Sequence, residues 1–100
     1  MREVVYVDED FESLIPLFIK NQLSALEELK AYVAMKDRDG VKFMAHKIKG
    51  SARNFGFKEV GNLGEIIEAK SQDMMVDELT KLINQIKDYL EHVEIKYIEM

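Results

Sequence analysis

The sequence contains no cysteine, which excludes disulfide bonds, thiolate metal sites and cysteine nucleophiles. It has one proline and five glycines, too few for a chain built mainly of loops or for a disordered chain. No apolar run reaches the roughly 18 residues of a membrane-spanning helix. No basic start leads into a long apolar stretch, as it does in a secretion signal. We therefore expect a cytoplasmic protein that does not bind membranes.

Basic residues are also in the minority, with 14 Lys plus Arg against 19 Asp plus Glu and a net charge of -5. Because nucleic acids are densely negative, a domain that binds them is usually basic. The 100 residues are enough for one modest core, and no shift in composition marks a boundary. We expect a single domain over residues 1–100, a monomer, with no nucleic-acid partner.

Apolar residues recur at helical spacing along almost the whole chain. The periodicity predicts a short N-terminal helix from Asp8 and four longer helices. These four are predicted at 16–35, from Asp37 or Asp39 to Asn54, at 58–71, and from an Asp73 cap through Tyr97. Leu17 is assigned to the buried side of the first long helix, and the β-like run 4–7 is not assigned as a strand. Short connections between long helices indicate an all-α fold, an antiparallel four-helix bundle with a short extra N-terminal helix.

The predicted helix that ends at Asn54 carries a histidine on its solvent side. With about 100° of rotation per residue, the apolar residues of this helix share one side. That side holds Val41, Met44, Ala45, Ile48, Ala52 and Phe55. His46 lies on the opposite side, so its imidazole is predicted to face solvent. The neutral ring of a histidine is a nucleophile near pH 7.

The neighbours of His46 on this helix are unusual for a surface. Gly50 lies one turn later in a helix interior, where glycine costs about 1 kcal/mol relative to alanine, and its benefit would be access to the ring. Lys42, Lys49 and Arg53 make a basic stripe suited to a phosphoryl group or an acidic partner. Phe43 is an outward aromatic and a candidate docking contact.

A carboxylate on the following helix is predicted to contact His46. The turn between the two helices is centred near Phe57, with His46 eleven positions before it and Glu68 eleven after it. In an antiparallel hairpin these two residues lie at the same height. Gly61 and Gly64 share the face of Glu68 and allow the backbones to approach closely. Glu68 would accept a hydrogen bond from Nδ1 of His46 and leave Nε2 with a free lone pair.

Each of these residues also has an ordinary structural interpretation. An exposed histidine or lysine is most often a solvated surface residue. Gly50 could be a glycine that packs helices, and Glu68 a plain surface carboxylate. His92 suits the negative end of the last helix. Neither histidine has a carboxylate cluster at metal-ligand spacing, and no glycine-rich loop is present to hold phosphates, so we expect neither a metal site nor an ATP site.

The segment 45–52, Ala-His-Lys-Ile-Lys-Gly-Ser-Ala, followed by Phe-Gly-Phe at 55–57, resembles the signature of histidine-containing phosphotransfer (HPt) domains. It is similar also to the phosphotransfer domain of chemotaxis histidine kinases. The histidine, the lysine at +3, the glycine at +4, the small residues at +5 and +6, and the glycine at +10 all occur together.

The resemblance implies a helical bundle with His46 as the phosphoacceptor. It implies that Lys49 helps to neutralise the phosphoryl oxygens and that Gly50 keeps the imidazole accessible. Glu68 matches the polar residue that hydrogen-bonds the histidine, a glutamate in the chemotaxis version. Sensor-kinase dimerisation domains instead have an acidic residue after the histidine and a proline at +5, where this chain has Lys47 and Ser51.

Three functions follow from the resemblance. The first is a two-component phosphorelay carrier that exchanges the phosphoryl group on His46 with receiver-domain aspartates, with Mg²⁺ on the receiver and no cofactor in this chain. The second is a phosphoacceptor fed by a separate histidine kinase, as in chemotaxis. The third is a bundle that binds a receiver or a kinase without being phosphorylated. Under each of them the chain is not an enzyme, and Lys42, Phe43 and Arg53 are its candidate partner-binding residues.

Overall fold

The computed structural model describes residues 3–100 of the chain, and most of them are helical. Two strands and a 3₁₀ helix accompany four α-helices. In chain order these are β1 (Val4–Asp8), the 3₁₀ helix (Glu9–Leu14), α1 (Ile15–Ala34), α2 (Arg38–Asn54), α3 (Lys58–Lys70), α4 (Val76–His92) and β2 (Glu94–Ile98). The segment after Asp8, where a short extra N-terminal helix was predicted, forms this 3₁₀ helix and not an α-helix, and β1 precedes it. None of the helices within residues 3–100 has the length and apolar character of a membrane span.

Local sequence signals set most helix ends close to their predicted positions. Pro16 lies in the first turn of α1, where its missing N–H would have had no helical partner. The Asp37 carboxylate caps α2 by accepting a hydrogen bond from Gly40 N at 3.0 Å. Gly56 has a φ of 85° in the turn after α2, a backbone conformation that favours glycine. Asp73 does not cap α4, which begins at Val76 after the turn.

The prediction of an all-α fold is wrong at both ends of the described chain. β1 and β2 form a two-stranded parallel sheet in which Val4 pairs with Glu94 and Asp8 with Ile98. The last helix therefore ends at His92 instead of continuing through Tyr97. Residues four positions apart, such as 93 and 97, lie on the same face of a helix and also on the same face of a strand. Pairing with β1 decides between the two.

The four α-helices enclose one hydrophobic core, because α1 and α3 each contact both α2 and α4. The buried apolar residues come from all four helices, from β1 and from the α2–α3 turn. Leu17 is not among them, and 58% of it is exposed. Ile15 and Phe18 take the buried positions at the start of α1, which turns the side chain between them outward.

A group of phenylalanines fixes the turn between α2 and α3. The ring centroid of Phe18 lies 4.8 Å from those of both Phe55 and Phe57, and the Phe11 ring lies 5.4 Å from that of Phe55. Phe57 is fully buried. These contacts hold the end of the hairpin and therefore its register, which determines which residues of α2 and α3 face each other.

Candidate functional site

His46 lies in the middle of α2 with its ring in solvent, as its place on the helix predicted. Its side chain is 67% exposed. The residues predicted to form the opposite side of the helix are buried, except that Phe55 is half-buried. The apolar side of α2 therefore anchors the helix in the core and holds the imidazole outside it.

The hydrogen bond predicted from the spacing across the turn is present. Nδ1 of His46 lies 3.0 Å from Oε2 of Glu68 on α3. An ionised carboxylate can only accept a hydrogen bond, so the shared proton belongs to Nδ1. In the neutral ring this leaves the lone pair on Nε2.

The predicted close approach of α2 and α3 is also present. A Cβ on Gly64 would lie only 3.3 Å from the backbone N of Lys49 and 3.4 Å from the carbonyl oxygen of Ala45. A Cβ on Gly61 would lie 2.7 Å from Cγ of Arg53. A larger residue at Gly64 would push α3 away from α2, and the short hydrogen bond between His46 and Glu68 would lengthen. At Gly61 the contact is with the flexible side chain of Arg53, which can move aside.

Lys49 differs from its predicted place in an exposed basic stripe. Its side chain is 17% exposed, and Nζ lies 2.7 Å from Oε1 of Glu68. The two carboxylate oxygens of Glu68 are thus divided between Lys49 and His46. Hydrogen bonds from Lys49, and to a smaller extent from His46, hold the pKa of Glu68 below its usual value of 4.5, against an opposing contribution from burial. The carboxylate is therefore ionised at neutral pH.

This shared carboxylate is the feature of the site that sequence reasoning missed. The helical wheel gave the direction of each residue from the axis of α2 but not the sideways reach of a long lysine side chain. The available signal was the spacing of Lys49, three positions after His46, which places both residues on neighbouring turns that face α3.

Gly50 is exposed, and a Cβ built on it would meet no heavy atom of a neighbouring element within 4 Å. The interpretation of Gly50 as a glycine that packs two helices is therefore wrong. The space beside it, one turn from His46, is open to an approaching molecule. Glycine in a helix interior is less stable than alanine, and packing against a neighbouring element does not explain the glycine at this position.

The three candidate partner-binding residues lie on the same side of the molecule but in different surroundings. Lys42 is exposed and lines a shallow depression of about 310 Å³ together with Lys49 and Glu68. Phe43 is 63% exposed. Arg53 reaches toward α3, where Nη2 lies 3.4 Å from a carboxylate oxygen of Glu65.

This arrangement offers an accessible nitrogen nucleophile, a carboxylate that orients it, and a lysine that holds the carboxylate. Within residues 3–100 no three histidine, aspartate or glutamate side chains are grouped as metal ligands would be. The chemistry available to the site is nucleophilic attack by Nε2 of His46 on an electrophile that another molecule brings.

Comparison with known proteins gives one match. No curated protein and no solved structure matches the chain significantly. The family model of the Hpt domain matches residues 13–95, which include all four α-helices and the His46–Glu68 pair. Hpt domains are phosphocarrier modules without an ATP site, and they interact with kinases and receiver domains in two-component signalling. On this match the chain belongs to the Hpt domain family.

Proposed function

We propose that this protein is a phosphorelay carrier that accepts a phosphoryl group on Nε2 of His46 from one receiver domain and delivers it to another. The observation that carries the proposal is the orientation of an exposed imidazole by a carboxylate that lies 3.0 Å from Nδ1. On this proposal the protein acts as a cytoplasmic monomer. It needs no cofactor of its own, because the receiver supplies Mg²⁺.

The transfer is an in-line displacement. The lone pair of Nε2 attacks the phosphorus of the aspartyl phosphate, a new N–P bond forms, and the P–O bond to the aspartate breaks with its electron pair leaving on the carboxylate. The ring then carries a positive charge with its proton still on Nδ1. Glu68, held ionised mainly by Lys49, stabilises that charge across the short hydrogen bond. The reverse displacement passes the phosphoryl group to a second receiver.

The neighbouring residues have distinct roles in this proposal. Lys49 holds Glu68 in place and adds positive charge near the incoming phosphoryl oxygens. Gly50 leaves room for the receiver aspartate to approach the ring. Lys42, Phe43 and Arg53 contact the partner around the ring, where an exposed aromatic and two cations suit an acidic receiver surface.

A second candidate is an acceptor that a histidine kinase phosphorylates directly. The hydrogen bond between Glu68 and His46 favours it, because the phosphotransfer domain of chemotaxis kinases, which the sequence resembles, has a glutamate at this position. Both candidates use the same ring nitrogen and differ in the donor.

The test is phosphate transfer with purified proteins. Receiver domains phosphorylated with radiolabelled phosphate, or a histidine kinase with labelled ATP, are incubated with the chain, and alkali-stable, acid-labile label is measured. We expect rapid label from a receiver, none on His46→Gln, and full label on His92→Gln as the matched control. Label from the kinase alone would favour the second candidate. An unlabelled wild-type chain, or equal label on His46→Gln, would contradict both.

A further inference from the structure

A groove of about 360 Å³ lies between α1 and α2. It is lined by Gln22, Ala25 and Glu28 from α1 and by Met44, Lys47 and Ile48 from α2. α2 therefore has Glu68 on the side of α3 and this groove on the side of α1. Of the α2 residues that line the groove, Met44, Lys47 and Ile48 are within two positions of His46, so a protein that covers the imidazole also covers part of the groove.

Gln22 is the unusual residue of the groove. It is 3% exposed, and its Nε2 donates a long hydrogen bond of 3.4 Å to the carbonyl oxygen of Ile48. Its Oε1 is buried and accepts no hydrogen bond from any group in residues 3–100. A buried oxygen without a partner costs about 1–3 kcal/mol, whereas a methionine or leucine would fill a similar volume without that cost. The contact with Ile48 accounts for Nε2 of the glutamine, but no group in residues 3–100 accounts for Oε1.

We propose that the groove is a docking subsite for the receiver domain and that Oε1 of Gln22 accepts a hydrogen bond from a receiver side chain. This inference rests on the function proposed above and adds a residue that determines which partner binds. Gln22 lines the groove, so a receiver side chain that enters the groove meets the glutamine side chain, and pairing with it would at most give up the long contact with Ile48. The Ile48 carbonyl keeps its bond within α2, since it lies in the interior of that helix.

The chemistry of the groove defines the donor. Glu28 and Lys47 line it with opposite charges, so a charged group gains little there. Burying an unpaired charge beside Gln22 is costly, whereas an uncharged amide or hydroxyl donor loses nothing by pairing with a carbonyl oxygen. A receiver without such a donor leaves Oε1 unpaired in the complex. Sites that contain a polar group discriminate strongly against partners that lack its complement.

The test compares Gln22→Met with Gln85→Met, which makes the same exchange at an exposed position of α4. The probe is the Mg²⁺-loaded receiver domain that transfers phosphate fastest to the wild-type chain. We expect Gln22→Met to leave the melting temperature unchanged or raise it by a few degrees while weakening receiver binding about tenfold, which is 1.4 kcal/mol. Gln85→Met should leave binding unchanged.

A second readout follows the side-chain amide directly. In an ¹⁵N-labelled chain, the Gln22 NH₂ signals are expected to shift when the receiver is added, whereas those of Gln85 stay in place. Unchanged binding by Gln22→Met, in a chain that still accepts phosphate on His46, would overturn the docking role and leave the relay intact. A melting temperature lowered by many degrees would show that the glutamine already stabilises the free protein through its internal contacts, which also overturns the docking role. Absence of transfer to wild-type His46 would overturn both proposals.

Discussion

His46 and His92 are the two histidines of the chain, and both have Nδ1 against a carboxylate and a ring in solvent. Nδ1 of His46 lies 3.0 Å from Glu68, and Nδ1 of His92 lies 3.1 Å from Asp88. Their side chains are 67% and 70% exposed. Exposure and an orienting carboxylate are therefore not enough to single out a phosphoacceptor, and the difference must come from the surroundings of each pair.

The surroundings differ in charge and in the origin of the carboxylate. Glu68 comes from a neighbouring helix and is held by Lys49, whereas Asp88 lies one turn before His92 on α4 itself. Nδ1 of His92 also lies 2.8 Å from the backbone oxygen of Asp88, so this ring closes the end of its helix. Arranging the first pair requires the tertiary fold, and arranging the second requires only a helix.

The region around His92 is acidic. His92 lines a cavity of about 320 Å³ together with Glu3, Glu59 and Asp88. Burial, with the negative charges of Glu3 and Glu59, raises the pKa of Tyr89 in the same cavity. Such a negative potential repels an acyl phosphate. In the depression beside His46, by contrast, Lys42 and Lys49 balance the carboxylates of Glu65 and Glu68. The comparison therefore favours His46 over His92 as the phosphoacceptor of the proposed function.

The strongest test of this difference is to remove each ring. His46→Gln is expected to abolish phosphate transfer, because the other histidine of the sequence, His92, lies in an acidic surrounding. His92→Gln should change the rate by no more than about twofold, which is only ~0.4 kcal/mol in the barrier. The measurement is the initial rate of labelling by a phosphorylated receiver domain. Residual label on His46→Gln that disappears in the double variant would mean that the acidic surrounding of His92 does not prevent transfer.

The second test closes the open space beside His46. Gly50→Leu is expected to slow transfer by roughly a hundredfold or more, because a large side chain one turn away displaces the reacting groups from the geometry of attack. Gly50→Ala should instead stabilise the protein by about 1 kcal/mol, since glycine is unfavourable in a helix interior. Transfer rates and urea unfolding of both variants provide the measurement. Normal transfer by a folded Gly50→Leu would contradict the role of access.

The parts of the molecule that were predicted from the sequence depend on local signals. Asp37 caps α2, and Gly56 adopts a positive φ in the connection after α2. Both could be predicted because each residue acts on backbone within one helical turn of itself. The bond between His46 and Glu68 was also predictable, although it joins residues far apart in the chain. The two residues are equally far from a tight turn, and such residues lie opposite each other in a helical hairpin, so this long-range contact follows from counting positions.

The parts that were not predicted depend on which of two tertiary arrangements forms. The spacing of Val93 and Tyr97 suits a helix and a strand equally. Pairing with β1, which comes from the opposite end of the sequence, selects the strand. The Lys49 side chain extends from α2 to Glu68 on α3, and a helical wheel of α2 does not include the residues of α3. Gln22 gives no signal in an amphipathic helix, because one polar residue on the apolar side does not change its periodicity.

A smaller effect is expected when only the orienting carboxylate is removed. Glu68→Ala should slow transfer about tenfold without abolishing it, since orientation and charge are one contribution among several. Asp88→Ala, the matched change beside His92, should leave the rate unaltered. Lys49→Met should resemble Glu68→Ala, because the carboxylate loses the group that holds it. An unchanged rate for Glu68→Ala would contradict the function of the hydrogen bond.

The smallest effect concerns stability at acid pH. Lys49 and His46 lower the pKa of Glu68 below 4.5, so the folded protein binds this proton more weakly than the unfolded chain does. The stabilisation is therefore fully present above about pH 4.5 and is lost as the pH falls through the lower folded-state value. Glu68→Gln is expected to cost less than about 1 kcal/mol at pH 7, with the difference from wild type shrinking between pH 5 and pH 3 in urea unfolding. Asp88→Asn removes the carboxylate beside His92. Because the Asp88 side chain is 78% exposed, the difference in stability between this variant and wild type should change little with pH. Equal differences at pH 7 and pH 3 for Glu68→Gln would mean that the carboxylate shared by Lys49 and His46 does not stabilise the fold through its charge.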